Sequence, residues 1–270
     1  MKRKMTLMMA LMVATFSIAA LCLTSCGHEG GSEEEEGGGG SIHQEYPSTA
    51  DVIRNAVTDI DGNKYDAVRI GTQVWMASNL RTTRYADGTS IAQGSSTSDT
   101  TPYWYYPYNN ASNMSTCGLL YNWEAVMRNS SSSKANPSGV QGICPTGWHV
   151  PSDAEWTQLT DYVGSLSDFQ CNGNSSSIAK ALASTEGWCP SSNECAAGNN
   201  RSSNNATGFS AFPAGLYYGN YEIFIGANFW SSTEDDSRLA WNRYLYYKNS
   251  TVSRSSYYKY YGFSVRCVRD

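Results

Sequence analysis

Six cysteines, Cys117, Cys144, Cys171, Cys189, Cys195 and Cys267, constrain the fold of this 270-residue chain more than any other feature. An even set in an exported chain implies covalent staples, here up to three of them. Zinc is the competing use of cysteine. It is disfavoured because the chain has no C-x-x-C pair and only 3 histidines, His28, His43 and His149. Cys189 and Cys195 are close enough in sequence to close a small loop and are expected to pair.

Whether the chain is exported is read from its N-terminus. Lys2, Arg3 and Lys4 precede an almost wholly apolar run from Met5 to Leu23. The run is long enough to suggest a membrane span. A basic start, an apolar centre and small residues at the end instead describe a cleaved signal. Its last residues, Leu23-Thr24-Ser25-Cys26, resemble the bacterial lipobox. The resemblance implies that Cys26 carries acyl chains such as palmitate and becomes the first mature residue, anchored stably in lipid. Residues 1–25 are thus expected to be a lipoprotein signal peptide and residues 26–50 a tether. Four glutamates, Glu33 to Glu36, and four glycines, Gly37 to Gly40, give that tether nothing to bury. Ser32 with the acidic run resembles a surface-export signal of Bacteroidetes lipoproteins, and reads equally as a solubilising spacer. Gly27, not Asp, follows Cys26, which by resemblance to the enteric sorting rule favours the outer membrane. The expected location is therefore the outer membrane, lipid-anchored and facing the cell surface.

Residues 51–270 suit one β-rich domain. The net charge of −5 argues against a nucleic-acid partner. With 19 Tyr and 8 Trp but little Leu, the composition favours twisted strands and long polar loops over long helices. Residues 51–58 read as a weak lead-in. A turn at Asp61-Gly62 opens a strand through Tyr65, Val68 and Ile70, and Gly71-Thr72 turns the chain into Gln73 to Met76. Leu119 to Arg128 has helical spacing. Ser152 and Glu155 form a capping box, followed by a core stripe at Trp156, Leu159, Tyr162 and Val163 and a stop at Gly164. A second short helix is expected over Ser177 to Leu182. Strands are expected near 216–218, 229–231, 240–247 and 262–268.

Several of these segments together resemble one family. They are Tyr121-Asn122-Trp123-Glu124-Ala125-Val126, the run from Ile143 to Trp156, Gly208-Phe209-Ser210-Ala211, Phe229-Trp230-Ser231-Ser232-Thr233, and Gly262 to Arg269. They are similar to the Fibrobacter succinogenes major paralogous domain, over about residues 57–270. The resemblance implies an α+β, C-type-lectin-like fold. Two helices would flank small irregular antiparallel sheets with long loops, disulfide-stapled, with the termini close together. It also implies a Cys144–Cys267 bridge, which would leave Cys117 to pair with Cys171. Fold alone does not assign function.

Candidate sites are few. His149 is the single possible base within the domain, and a structural role fits its place before a helix cap. Asp153 and Glu155 are explained by the capping box and the helix dipole. Glu234, Asp235 and Asp236 form an acidic run that could hold Ca²⁺ with loop carbonyls, and more often such a run is a solvated loop. The Glu-Pro-Asn, Gln-Pro-Asp and Trp-Asn-Asp triplets of Ca²⁺-dependent lectins are absent, with Trp241-Asn242-Arg243 the nearest approach. The related formylglycine-generating group uses C-terminal cysteines, and Cys267 is expected in a bridge. No enzyme activity, cofactor or metal is therefore expected. The remaining candidates are Tyr244, Tyr246, Tyr257, Tyr258, Arg243 and Arg254. On paired strands they would display a Tyr/Arg face of the kind enriched at binding hot spots, although many of these aromatics must also fill the core. The expected function is recognition of an extracellular protein or glycan, with a structural role in a surface assembly as the alternative.

Overall fold

The computed structural model describes residues 46–270, apart from Thr49, Asn220, Ile223 and Phe224. The expected acylation site Cys26, the expected signal segment and the expected tether up to residue 45 lie outside the described residues.

The domain is α+β, with one substantial helix among small sheets. Strands β1 (Asp51–Thr58), β2 (Lys64–Ile70) and β3 (Gln73–Met76) form an antiparallel meander. The weak lead-in of residues 51–58 is thus a full strand. Its hydrophobic signal is faint because it is an edge strand, half solvated, with a bulge near Asn55 and ion pairs Arg54–Asp66 and Arg69–Asp51 along it. Alternation along β2 and β3 sends neighbours to opposite faces. Val68, Ile70 and Trp75 enter one core cluster with Trp156, Phe209 and Phe229. Ala67, Val74 and Met76 enter a second with Tyr121, Trp230 and Phe263.

Short strands β4 (Ala92–Gln93), β5 (Tyr103–Tyr105) and β6 (Leu120–Tyr121) form a small sheet in which β4 and β5 run parallel. Helix α1 (Met114–Cys117) precedes β6, and α2 (Trp123–Met127) follows it. The helix expected over Leu119 to Arg128 therefore loses its first residues to a strand. Tyr121 exchanges both backbone bonds with Phe263, and the Asn122 side chain caps α2 by accepting from Ala125 N.

Strand β7 (Trp148–His149) leads into α3 (Asp153–Ser165), which opens on the expected Ser152/Glu155 capping box. Trp156, Leu159 and Val163 are buried, whereas Tyr162 is 40% exposed. Its ring lies over the β2–β3 turn, 3.0 Å from where a Cβ on Gly71 would sit, so that turn needs glycine for space as well as for its φ of +62°. The helix runs through Gly164 instead of stopping there. The second expected helix shrinks to α4 (Ala179–Leu182). Carbonyls of Lys180, Ala181 and Leu182 accept from Asn205, Thr207 and Ala211, so another segment takes the bonds a longer helix would use.

Strands β8 (Leu216–Tyr217) and β9 (Tyr221–Glu222) form a hairpin. β10 (Gly226–Glu234), β11 (Leu239–Tyr246) and β12 (Val252–Tyr258) form an antiparallel sheet in that order. The expected strand 262–268 is regular only as β13 (Val268–Arg269). Its earlier residues make single bridges to different neighbours: Gly262 to Tyr217, Phe263 to Tyr121 and Ser264 to Phe229. Val268 then pairs with both Trp75 and His149, so this tail joins four sheets and brings the last strand beside β3.

Two described disulfides staple the domain. Cys144–Cys267 is the bridge the family resemblance implies. Cys195 pairs with Cys171, which overturns both the Cys189–Cys195 and the Cys117–Cys171 expectations. The 191–198 loop is already closed by a backbone bond from Ser191 N to Gly198 O. Cys195 is thereby free to face the Cys171–Asn174 turn, and sequence nearness was a poor guide. Cys117 and Cys189 are buried in the first core cluster.

Candidate functional site

The register of β11 on β12 sorts the candidate Tyr and Arg residues into two faces. Directly paired residues point the same way. Leu239 pairs with Tyr258, Trp241 with Ser256, and Arg243 with Arg254, so these six share one face. Ala240, Asn242 and Tyr244 pair with Tyr257, Ser255 and Ser253 on the other. The expected single Tyr/Arg face therefore divides. Tyr257 turns inward to pack edge-on against Phe263 at 5.4 Å. Tyr244 and Tyr246 lie together, 5.9 Å apart, on the same face as Tyr257 and only partly buried, with Tyr246 packed against the first core cluster. Tyr258, Arg243 and Arg254 belong to the outer face.

That outer face meets the first turn of α3. Arg243 is 2% exposed and donates to Asp153 and, at 2.8 Å, to Thr157 Oγ1. Arg254 donates to Asp153 Oδ2 at 2.9 Å, so one carboxylate joins two cations at the helix N-terminus. The Arg254 guanidinium lies 3.3 Å from the centre of the Trp241 ring. Arg243 is thus a buried anchor, while Arg254, Trp241, Ser256 and Tyr258 remain on the surface. Beside them opens a hollow of about 440 Å³, lined by Trp241, Arg254, Asp153, Thr233, Glu234 and Lys134 among others. Further along β12, exposed Tyr258 stacks on Tyr260 at 5.2 Å with an interplanar angle of 12°, and Tyr261 contacts exposed Tyr218 at 5.8 Å. Trp241 was legible only as the head of the Trp241-Asn242-Arg243 triplet. Strict alternation through Leu239, Trp241 and Arg243 was the signal that placed it with the arginines.

The acidic run does not form the Ca²⁺ site considered from sequence. Glu234 pairs with Lys259 at 2.8 Å, Asp235 accepts from Ser256 Oγ, and Asp236 accepts from the backbone of Arg238 and Leu239 in a turn. Among the described residues no group of three His, Cys, Asp or Glu side chains is arranged to hold a metal. The three carboxylates diverge because each serves a different local partner.

His149 sits 3% exposed between two carboxylates. Its Nε2 lies 2.6 Å from Glu155 Oε1 and its Nδ1 2.7 Å from Asp270 Oδ1. The second Glu155 oxygen accepts from Ser138 N and Ser152 N. Burial disfavours the imidazolium, but the bonds and charges of Glu155 and Asp270 outweigh it and raise the His149 pKa. Both ring nitrogens are committed, and the residue ties the chain end to the cap of α3.

A disulfide-stapled α+β domain in which one C-terminal tail joins four sheets defines the class of protein. A family model described as the Fibrobacter succinogenes major domain matches residues 68–269, and the chain belongs to that family. No curated protein matches it, and no solved structure does.

Proposed function

We propose that this is a lipid-anchored protein of the outer membrane surface whose domain recognises an extracellular protein or glycan. The observation that carries this reading is the outer face of β11 and β12. Trp241 stacked under Arg254 beside an open hollow, with Tyr258 and Tyr260 alongside, supplies rigid aromatic area with polar handles, the composition of binding hot spots. The anchor rests on the lipobox ending in Cys26. We read the architecture as C-type-lectin-like, because its first and last strands share one sheet and bring the domain ends together. Catalysis is disfavoured by the commitment of both His149 nitrogens.

The test is binding of the full-length chain to an array of glycans and extracellular matrix proteins. A reproducible ligand should be lost at least about tenfold on Trp241→Ala. Absence of any ligand into the high micromolar range would transfer weight to an assembly subunit. One observation favours that second reading: β12 is the outermost strand of its sheet, and an open edge is a template for pairing with another chain.

A further inference from the structure

A separate groove of about 490 Å³ opens on another part of the molecule, and its floor holds an unusual charge. Arg266 is completely buried. A buried guanidinium is ordinarily matched by a carboxylate. Among the described residues its hydrogen-bond partners are neutral oxygens: Asn79 Oδ1 at 2.8 Å and the carbonyls of Met76, Phe209 and Ser210. These bonds use four of the five guanidinium N–H groups. Burial pushes Arg266 down to about 9, which still leaves it cationic at neutral pH. Its charge lies directly behind the groove wall and contributes a positive potential there.

The walls extend the pattern. Lys64 and Arg81 also line the groove, against Asp66 and Glu186. Asp66 is already paired with Arg54 at 2.9 Å. Three cations therefore face two carboxylates, one of which is neutralised from outside the groove, and the balance is positive. The hydroxyl-bearing residues Ser78, Thr116 and Thr185 also line the groove, as does the half-buried ring of Phe212. A positive floor, hydroxyl partners and an aromatic wall match the chemistry of one ligand class.

We propose that this groove is a second binding site, taking an acidic sugar whose carboxylate lies toward Lys64, Arg81 and the field of Arg266. The modest positive balance suits a monoanion. The site is independent of the Trp241 face and stands or falls apart from it.

The test is a ligand-observed NMR titration of the full chain with glucuronate, its methyl ester and glucose. Glucuronate should bind in the millimolar range, and the two neutral sugars at least about tenfold more weakly. Equal binding of all three, or no binding of glucuronate, overturns the proposal. Arg266→Lys is the direct variant but disturbs a core clamp. Exposed positions carry the test without that risk. Glu186→Gln should tighten glucuronate about twofold to threefold and Lys64→Ala should weaken it by a similar factor. No change in either variant overturns the assignment. Trp241→Ala should leave glucuronate binding unchanged, and its loss there would return the sugar to the outer face.

Discussion

The corner where α3 begins and the outer face of the β11–β12 hairpin are neighbours joined through Asp153, yet they use polar residues in opposite ways. At the corner the buried polar groups are committed to the protein. His149 spans Glu155 and Asp270, Glu155 also accepts from two backbone amides, and Cys144 is bridged to Cys267 beside them. On the outer face the buried member, Arg243, is equally committed. Arg254, Trp241 and Tyr258 keep their outer surfaces in solvent. The difference teaches that a Tyr, Arg or His becomes structural when its polar atoms are closed off by neighbours. It becomes available for recognition when only one side is held.

That contrast can be broken at several points. The largest effect should come from opening the corner covalently. Replacing Cys144 and Cys267 by Ser removes a bridge spanning 123 residues and should cost about 4 kcal/mol, read as a shift in urea midpoint. Glu155→Ala should follow, at about 3 kcal/mol, because it leaves His149 and the Ser138 and Ser152 amides without their buried acceptor. A loss below about 1 kcal/mol would show that the corner is less committed than its geometry indicates.

A gentler perturbation is pH. The His149 pKa is raised in the folded protein, so its contribution is fully present below the ordinary His value of about 6.5. It is lost as pH rises through the raised folded value. Thermal stability should therefore fall across that window on the alkaline side. His149→Gln should flatten the fall, and an unchanged pH profile in that variant would assign the dependence to another group.

The smallest effects on stability belong to the outer face. Tyr258→Ala should change stability by no more than about 0.5 kcal/mol, since the ring is 40% exposed. Trp241→Ala should cost about 1 kcal/mol through its stacking with Arg254. In both, ligand binding should suffer far more than folding. If Tyr258→Ala instead unfolds the domain, the two regions are not different in kind.

Local chemistry was legible from the residues themselves. The Ser152/Glu155 box, the Asp61-Gly62 turn and the three β-branched or aromatic positions of β2 were read correctly because each is fixed by neighbours within a few residues. Where a long-range partner intervened, the local pattern misled. Leu120 and Tyr121 carry helical spacing but pair with Trp104, Tyr105 and Phe263 as a strand. Cys195 lies near Cys189 in sequence but Cys171 in space.

The sequence by itself determined the capped helix, the β-rich composition and the family to which residues 68–269 belong. Tertiary structure alone decided which cysteines meet, which side of the hairpin each tyrosine takes, and that Arg266 lies buried beneath a groove with, among the described residues, neutral oxygens as its hydrogen-bond partners. The physical reason is the range of the forces involved. Capping and turns act over a few residues. Pairing register and burial of charge depend on which distant segments reach the same place, and in this chain the tail from Gly262 to Arg269 sets that meeting point.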